Sequence, residues 1–183
     1  MGQISVEYNA GGIEGLCVIT PKVYGDRRGY FMETYNKNDM IEAGIDYNFV
    51  QDNQSGSTKG VLRGLHFQIN FPQTKLVRVI KGSVFDVAVD LRKGSKTFGK
   101  YFGAELSAEN HKQFLIPKNF AHGFLVLSDE AEFFYKCDDF YHPNDEGGII
   151  YNDLDINVAW PKIDVPFILS DKDLKLKTFK EIF

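Results

Sequence analysis

The sequence predicts a mainly β protein, a sandwich or a barrel with a few short helices, over residues 1–183. Three observations favour this fold class. Ten strand-like runs follow one another, glycines and prolines are spread between them as turns, and aromatic residues, which pack well on a pleated surface, make up 14% of the chain. A chain of 183 residues can bury one substantial core, so we expect a single domain.

The predicted elements are short strands separated by turns. The strands cover residues 15–20, 30–35, 49–52, 61–68, 74–81, 83–91, 100–106, 113–117, 122–127 and 131–137. In the run 83–91, apolar side chains occupy both alternating positions, which predicts a strand covered on both faces. Helices are predicted at residues 38–43, where Gly44 ends the helix, and just after Ser170, which acts as an N-cap. A turn is predicted at residues 107–110.

Composition and charge narrow the functional classes. The net charge of −4 argues against a nucleic-acid-binding surface, which normally shows a basic excess. The sequence has no signal-peptide pattern and no apolar run as long as a membrane span, so we expect a cytoplasmic protein that does not enter a membrane. Cys17 and Cys137 both lie in apolar runs, and we expect both to be buried free thiols.

The run 61–68 places an arginine and a histidine three residues apart in one predicted strand. Side chains alternate between the faces of a strand, so Arg63 and His66 should point to opposite sides unless the chain bends. Gly64 lies between them and could supply a bulge. A guanidinium and an imidazole on one wall would suit proton chemistry on an anionic substrate, although a structural role for a lone histidine remains the alternative.

Other side chains extend this chemistry. His122 and Tyr135 lie in strand-like runs, and a neutral imidazole can accept a proton while a phenol donates one. The planar guanidinium of an arginine such as Arg28 suits bidentate contact with phosphate, and Lys75 can act as a mobile point charge. Surface salt bridges for the cations, and a core position for the tyrosine, are the structural alternatives.

Metal and covalent chemistry are not predicted. A histidine-based metal site on a strand would place two histidines two residues apart, but the position after His66 on the same face is Gln68. The sequence has no Gly-x-Ser-x-Gly elbow, no phosphate-binding glycine loop and no dinucleotide fingerprint. We therefore expect neither a metal nor a cofactor.

Eight motifs in a fixed order resemble the dTDP-4-dehydrorhamnose 3,5-epimerases, a family of cupin-like nucleotide-sugar epimerases. The motifs cover residues 25–31, 49–53, 61–68, 75–78, 84–90, 116–124, 132–136 and 169–173. The resemblance implies a cupin-type jelly roll, a homodimer, and a reaction without metal or cofactor. The implied substrate is dTDP-4-dehydro-6-deoxy-α-D-glucose, inverted at C3 and C5 to dTDP-4-dehydro-β-L-rhamnose through enolates, in dTDP-L-rhamnose biosynthesis.

The resemblance also implies roles for individual residues. His66 is implied as the general base, Asp173 as the carboxylate that orients it, Tyr135 as the general acid and Lys75 as the cation near the enolate oxygen. The spacing leaves Asp171 as an alternative to Asp173. The substrate-binding residues implied by the resemblance, with Tyr141 stacking on thymine, are Arg28, Glu33, Gln51, Asn53, Arg63, His122, Tyr141, Glu146 and Lys172.

Two departures from the family pattern affect particular positions. Arg27 precedes the motif arginine, so Arg27 and Arg28 could exchange roles. The segment 67–74 is shorter than in many relatives, which affects how Lys75 is matched to the family position.

Three other functions stay open. They are a single-centre epimerase on a related 4-keto sugar nucleotide, a non-catalytic sugar-nucleotide-binding cupin, and a metal-dependent cupin.

Overall fold

A computed structural model describes residues 3–183, which form short strands and few helices. The strands are β1 (Ile4–Tyr8), β2 (Cys17–Pro21), β3 (Val23–Asp26), β4 (Gly29–Met32), β5 (Gln51–Thr58), β6 (Leu62–Gln68), β7 (Lys75–Lys81), β8 (Ser83–Asp90), β9 (Tyr101–Ser107), β10 (Gln113–Ile116), β11 (Phe120–Val126), β12 (Glu130–Cys137) and β13 (Glu146–Gly148). The α-helices are α1 (Lys37–Glu42) and α2 (Phe179–Ile182), and 3-10 turns span Ala10–Gly12 and Asp173–Lys175.

Two antiparallel sheets make up the body of the molecule. The six-stranded sheet has the order β1-β2-β10-β7-β12-β5, and the five-stranded sheet has the order β13-β6-β11-β8-β9. The crossing connections between sheets are those of a jelly roll. The predicted fold class, a mainly β jelly-roll sandwich of the cupin type, is confirmed.

Apolar residues fill the space between the sheets and also cover the outer face of the smaller sheet. Between the sheets, Val77 and Phe133 of the larger sheet belong to one cluster with Ala88 and Phe124 of the smaller. On the outer face, Leu65, Val87 and Ile149 pack under the C-terminal segment. Strand β8 is therefore buried on both faces, as its sequence predicts.

Most predicted strands agree with the structure to within one or two residues, and the largest errors involve polar sequence. The prediction ended the third run at residue 52, whereas β5 extends through Gln54-Ser55-Gly56-Ser57-Thr58. These polar residues form an edge strand because β12 pairs with them along their whole length. Strands β1, β3 and β13 and helix α2 were not predicted. The last three are only three or four residues long, whereas β1 has the alternation of a strand (Ile4-Ser5-Val6-Glu7-Tyr8) and was overlooked.

The predicted local signals outside the strands are largely confirmed. Helix α1 begins one residue early, with the Asn36 side chain accepting a hydrogen bond from the Asn38 amide. The turn at residues 107–110 forms, with Ser107 and Asn110 bonding to each other's backbone. The short helix predicted after Ser170 is the 3-10 turn Asp173–Lys175, and Ser170 Oγ accepts a hydrogen bond from the Asp173 amide. Cys17 and Cys137 are free and buried, as expected.

Strands β3 and β4 form a two-stranded hairpin that pairs with neither of the larger sheets. Its residues are almost all exposed, and Tyr30 and Phe31 retain 62% and 66% of their accessible surface. Large aromatic side chains on an isolated hairpin indicate a surface that another molecule covers. Among residues 3–183, no helix combines the length and apolar character needed to cross a membrane.

Candidate active site

A bulge in β6 brings Arg63 and His66 to the same side of the strand. His122 of β11 lies opposite His66, and Phe124 lies opposite Arg63, so three steps along β6 match two along β11. The extra residue reverses the alternation between these two side chains. Gly64 lies at this point with φ of 120°, and a Cβ there would come within 2.6 Å of the Gly123 Cα. The bend predicted at Gly64 is confirmed.

A cavity of about 620 Å³ opens between the two sheets at this bulge. All four predicted catalytic residues line it, together with four of the predicted binding residues. These eight residues are Asn53, Arg63, His66, Lys75, His122, Tyr135, Lys172 and Asp173. Apolar side chains such as Phe124 and Phe133 form the inner part of the wall. The cavity is large enough for the sugar and part of a nucleotide.

His66 and Asp173 form a close pair at the cavity wall. His66 Nε2 lies 2.5 Å from Asp173 Oδ1, and Asp173 is only 4% exposed. Burial raises the pKa of Asp173, but hydrogen bonds from His66, Ser170 and the Gly64 amide outweigh it, and the net pKa lies below its usual value. Asp173 is thus ionised and can only accept, so His66 Nε2 carries the proton and Nδ1 keeps its lone pair. Asp171 is exposed, and the contact with His66 is made by Asp173.

Tyr135 and Lys75 belong to the opposite sheet, on neighbouring strands β12 and β7. The Lys75 Nζ lies 5.9 Å from the centre of the Tyr135 ring. Burial raises the pKa of Tyr135, so its phenol stays protonated near neutral pH. Burial lowers the pKa of the Lys75 ammonium, and nearby negative groups offset this only in part. Because Tyr135 and His66 belong to opposite sheets and line the same cavity, the phenol, which can donate a proton, lies across the cavity from the imidazole.

Three further predicted binding residues form the rim, bonded to Asn53 and Lys172 of the lining; they are Gln51, Tyr141 and Glu146. Gln51 donates to Asn53 Oδ1 at 3.0 Å and accepts from the Tyr141 amide at 3.0 Å. The Tyr141 hydroxyl donates to Glu146 at 2.8 Å, and the Lys172 ammonium donates to the other oxygen of Glu146. This chain of contacts joins an edge strand, the 140–145 loop and the segment that carries Asp173.

Gln68 links two loops. Its amide nitrogen donates to the Phe71 carbonyl at 2.6 Å, and its oxygen accepts from the His142 amide at 3.1 Å. The Phe71 and His142 rings also stack at 4.0 Å, and Asp145 accepts hydrogen bonds from the Asn70 and Phe71 amides. Within residues 3–183, no group of three or more His, Cys, Asp or Glu side chains is arranged to hold a metal ion.

Arg28 and Glu33 do not line the cavity. Arg28 lies in the turn of the β3–β4 hairpin, where its guanidinium binds Asp26 through two nitrogens, and Glu33 is exposed just beyond β4. Sequence reasoning missed Asp86, a buried residue of β8 that contacts His122. Ser170, which the sequence predicts as an N-cap, accepts a hydrogen bond from the Asp173 amide through its Oγ. The two acids in the apolar run 83–91 were the available signal for Asp86.

The jelly roll and the side chains of its inter-sheet cavity define a cupin-like protein equipped for acid–base chemistry. Residues 11–181 match the family model described as dTDP-4-dehydrorhamnose 3,5-epimerase. The chain belongs to the dTDP-4-dehydrorhamnose 3,5-epimerase family.

Individual relatives are similar along almost their whole length. The dTDP-4-dehydrorhamnose 3,5-epimerase of Methanothermobacter thermautotrophicus is 54% identical over 170 residues, which cover 92% of this chain and 92% of that protein. The enzyme of the same name from Shigella flexneri is 55% identical over 169 residues, 91% of this chain and 92% of that protein. The dTDP-6-deoxy-D-glucose-3,5-epimerase of Legionella pneumophila, solved in complex with dTDP-4-keto-L-rhamnose, aligns with a TM-score of 0.93 and 49% identity, covering 98% of this chain and 95% of that chain.

Proposed function

We propose that this protein inverts C3 and C5 of dTDP-4-dehydro-6-deoxy-α-D-glucose to give dTDP-4-dehydro-β-L-rhamnose, a step of dTDP-L-rhamnose biosynthesis. The observation that carries the proposal is the oriented His66–Asp173 pair facing Tyr135 across one cavity. A ketone at C4 acidifies the protons at C3 and C5, so a base on one side and an acid on the other can invert both carbons. Family membership and the named relatives support the same reaction.

His66 is the proposed base. With Nε2–H donated to Asp173, the Nδ1 lone pair is free to remove the proton from C3 or C5. Asp173 fixes this tautomer and stabilises the imidazolium that forms, as the carboxylate of a catalytic triad does. The electron pair of the broken C–H bond moves into the enolate, with its negative charge on the C4 oxygen.

Tyr135 and Lys75 complete the proposed exchange. Tyr135 delivers a proton to the opposite side of the same carbon, which restores the ketone with inverted configuration. The tyrosinate then recovers a proton from solvent, and His66 releases the proton that it took, so no net proton is gained or lost. Lys75 stabilises the developing enolate oxygen as a preorganised positive charge.

The rim residues are the proposed anchor for the nucleotide. Arg63, held by Ser57 at 3.1 Å, and Lys172 supply cations for the pyrophosphate. Tyr141 is half exposed at the rim and offers its ring to the thymine. Gln51, Asn53, Glu146 and His122 provide further polar contacts. Binding energy from the nucleotide positions the sugar between His66 and Tyr135.

We infer that a second copy of the chain completes the site. Arg28 and Glu33 match substrate-binding positions, yet they lie on or beside the exposed hairpin and away from the cavity of their own chain. The exposed aromatic residues of the hairpin support a homodimer in which it reaches a neighbouring cavity. The single domain over residues 1–183, the cytoplasmic location and the absence of nucleic-acid binding stay predictions.

The proposed function is tested by NMR of the 4-keto sugar nucleotide incubated with the purified protein in D₂O. Deuterium at both C3 and C5, with formation of the L-rhamno product, is the expected result. Deuterium at one carbon only would support a single-centre epimerase, and binding without exchange would support a sugar-nucleotide-binding cupin. Loss of activity with a chelator and recovery with a metal would support a metal-dependent reaction.

A further inference from the structure

A second histidine–carboxylate pair lies beside the proposed catalytic pair. His122 Nε2 lies 3.0 Å from each carboxylate oxygen of Asp86, and the two residues are 8% and 0% exposed. His122 lines the cavity directly across the strand ladder from His66, whereas Asp86 lies behind it on β8 and does not line the cavity. Asp86 therefore acts on the cavity only through other residues.

Burial of the Asp86 carboxylate lowers the stability of the fold unless other groups compensate for the lost hydration. Burying a carboxylate removes its hydration, which requires partners that compensate. Among the described residues, the only hydrogen-bond partner of its side chain is His122. Burial raises the pKa of Asp86 above its usual value, and the contact with His122 and the charge of Lys75 oppose that rise. Both partners line the cavity, so the carboxylate is tied to the two groups on which substrate chemistry would depend.

We propose that Asp86 is a positioning residue for the epimerisation, holding His122 in one tautomer and orientation through its buried contact with Nε2. This inference rests on the proposed function. The carboxylate accepts from Nε2–H, which leaves Nδ1 as the nitrogen of His122 available to a bound sugar. An asparagine at this position could turn its NH₂ toward Nε2 and favour the other tautomer, as happens when the aspartate of a catalytic triad is replaced.

The charge on Lys75 depends on the groups around it. Burial lowers the pKa of Lys75, and Cys137, Asp86 and Glu146 oppose that effect. Burial also raises the pKa of the Cys137 thiol to about 11, so the thiol is neutral near pH 7. The carboxyl groups that act on Lys75 are therefore those of Asp86 and Glu146. The other titratable groups lining the same cavity are Tyr135, His66, His122, Arg63, Lys172 and Asp173.

Removing the charge of Asp86 should therefore make Lys75 lose its proton at a lower pH. In the variant Asp86→Asn, we expect kcat to fall about 10- to 100-fold, since loss of a direct charge-stabilising donor costs about 10²- to 10³-fold and this effect is indirect. KM should change less than about threefold, because the nucleotide anchors remain. The alkaline limb of the kcat/KM profile should move to lower pH.

Asp90→Asn is the matched control. Asp90 lies on the same strand and in the same phase, and it is equally buried, but it binds Arg92, Ser95 and Thr97 away from the cavity. Under conditions in which the native protein and Asp90→Asn are both folded, the variant should have the native kcat and the native alkaline limb of the kcat/KM profile. If Asp86→Asn unfolds, Asp86→Ser replaces it, since a serine leaves room for a water molecule.

The contact between His122 and Asp86 can also be tested by NMR spectroscopy, without an activity assay. Two-bond ¹H–¹⁵N correlations should show His122 protonated at Nε2 in the native protein and at Nδ1 in Asp86→Asn, with the signals assigned by comparison with His122→Gln. The proposal is overturned if His122 has the same tautomer in both proteins, or if Asp86→Asn matches Asp90→Asn in kcat and in the alkaline limb. Absence of deuterium uptake by the native protein would instead refute the proposed function, and the tautomer measurement would still test the contact.

Discussion

His66 and Tyr135 approach the cavity from different sheets, so the two proton transfers can be separated by mutation. We expect His66→Ala to abolish both turnover and deuterium uptake, because no proton can be removed. Tyr135→Phe should reduce turnover by about 10²- to 10⁴-fold while still allowing some exchange at the face served by His66. The measurement is NMR in D₂O with each variant.

Normal turnover by both variants would contradict these roles. Ser57→Ala is a useful control, because Ser57 contacts Arg63 at the rim and not the proton-transfer pair. This variant should raise KM more than it lowers kcat.

The pairing of Asp173 predicts a pH dependence of stability as well as of activity. Its pKa in the folded protein lies below its usual value of 3.8. The carboxylate therefore stabilises the fold above about pH 4, and this contribution is lost as the pH falls through the folded pKa. The difference in free energy of unfolding between the native protein and Asp173→Asn should be constant near neutral pH and shrink in acid, as followed by urea denaturation.

At pH 7, Asp173→Asn should lower kcat by about 10²- to 10⁴-fold, because the imidazole would lose its preferred tautomer. A difference in unfolding free energy that grows as the pH falls below 4 would contradict the pairing with His66. Asp171→Asn is the control, since Asp171 is exposed and two residues away.

Single residues with a strong local motif were predictable from the sequence. His66, Tyr135 and Asp173 lie in recognisable motifs, and the structure places them in one cavity. Asp86 could not be assigned a partner, because its contact with His122 depends on the pairing of β8 with β11, 36 residues apart. Local patterns carry no information about which strands become neighbours.

At the scale of elements, the bulge in β6 decides which side chains share a face. Gly64 has a positive φ, and a Cβ would lie 2.6 Å from the Gly123 Cα and 2.7 Å from the His122 carbonyl oxygen. We expect Gly64→Ala to destabilise the fold by about 2–4 kcal/mol through backbone strain and steric overlap. It should also impair activity, because Arg63 and His66 would lose their common orientation.

Chemical denaturation and the epimerase assay check this expectation. Gly56→Ala is the matched control, since Gly56 lies in a strand with ordinary φ and its added Cβ would meet nothing within 4 Å. Equal stability of the two variants would contradict the role assigned to Gly64.

Apolar strands were predictable and polar strands were not. The run 83–91 has an unmistakable alternation, and its burial on both faces is confirmed. Strand β5 carries glycine, serines and glutamines typical of a loop, and it is a strand only because β12 supplies hydrogen bonds. Tertiary pairing overrides weak strand propensity at such edges.

At the scale of the whole molecule, the β3–β4 hairpin exposes its aromatic side chains and does not line the cavity of its own chain. If it reaches a second copy, Phe31→Asp should weaken the dimer, because a charge would be buried in an apolar contact. We expect a monomer by light scattering after gel filtration, with a raised KM because Arg28 no longer reaches a cavity.

Leu154→Asp is the control for this prediction. Leu154 is 89% exposed and lies outside the hairpin, so an aspartate there should leave the oligomeric state unchanged. A Phe31→Asp protein that stays dimeric with native KM would contradict the proposed exchange. The sequence could not show that the hairpin is exposed, because its exposure depends on how the two larger sheets pack and leave the hairpin unpaired with either.

Gln68 has a consequence for any attempt to engineer this scaffold as a metalloenzyme. The obvious change, Gln68→His, would place two histidines two residues apart on β6. The same change would remove the amide that binds both the Phe71 carbonyl and the His142 amide. The two loops would then be joined by the Asp145 hydrogen bonds and the stacking of Phe71 on His142, with less support than before. Metal affinity and loop order therefore compete for one position, and a design would have to rebuild the loop connection before it adds the second ligand.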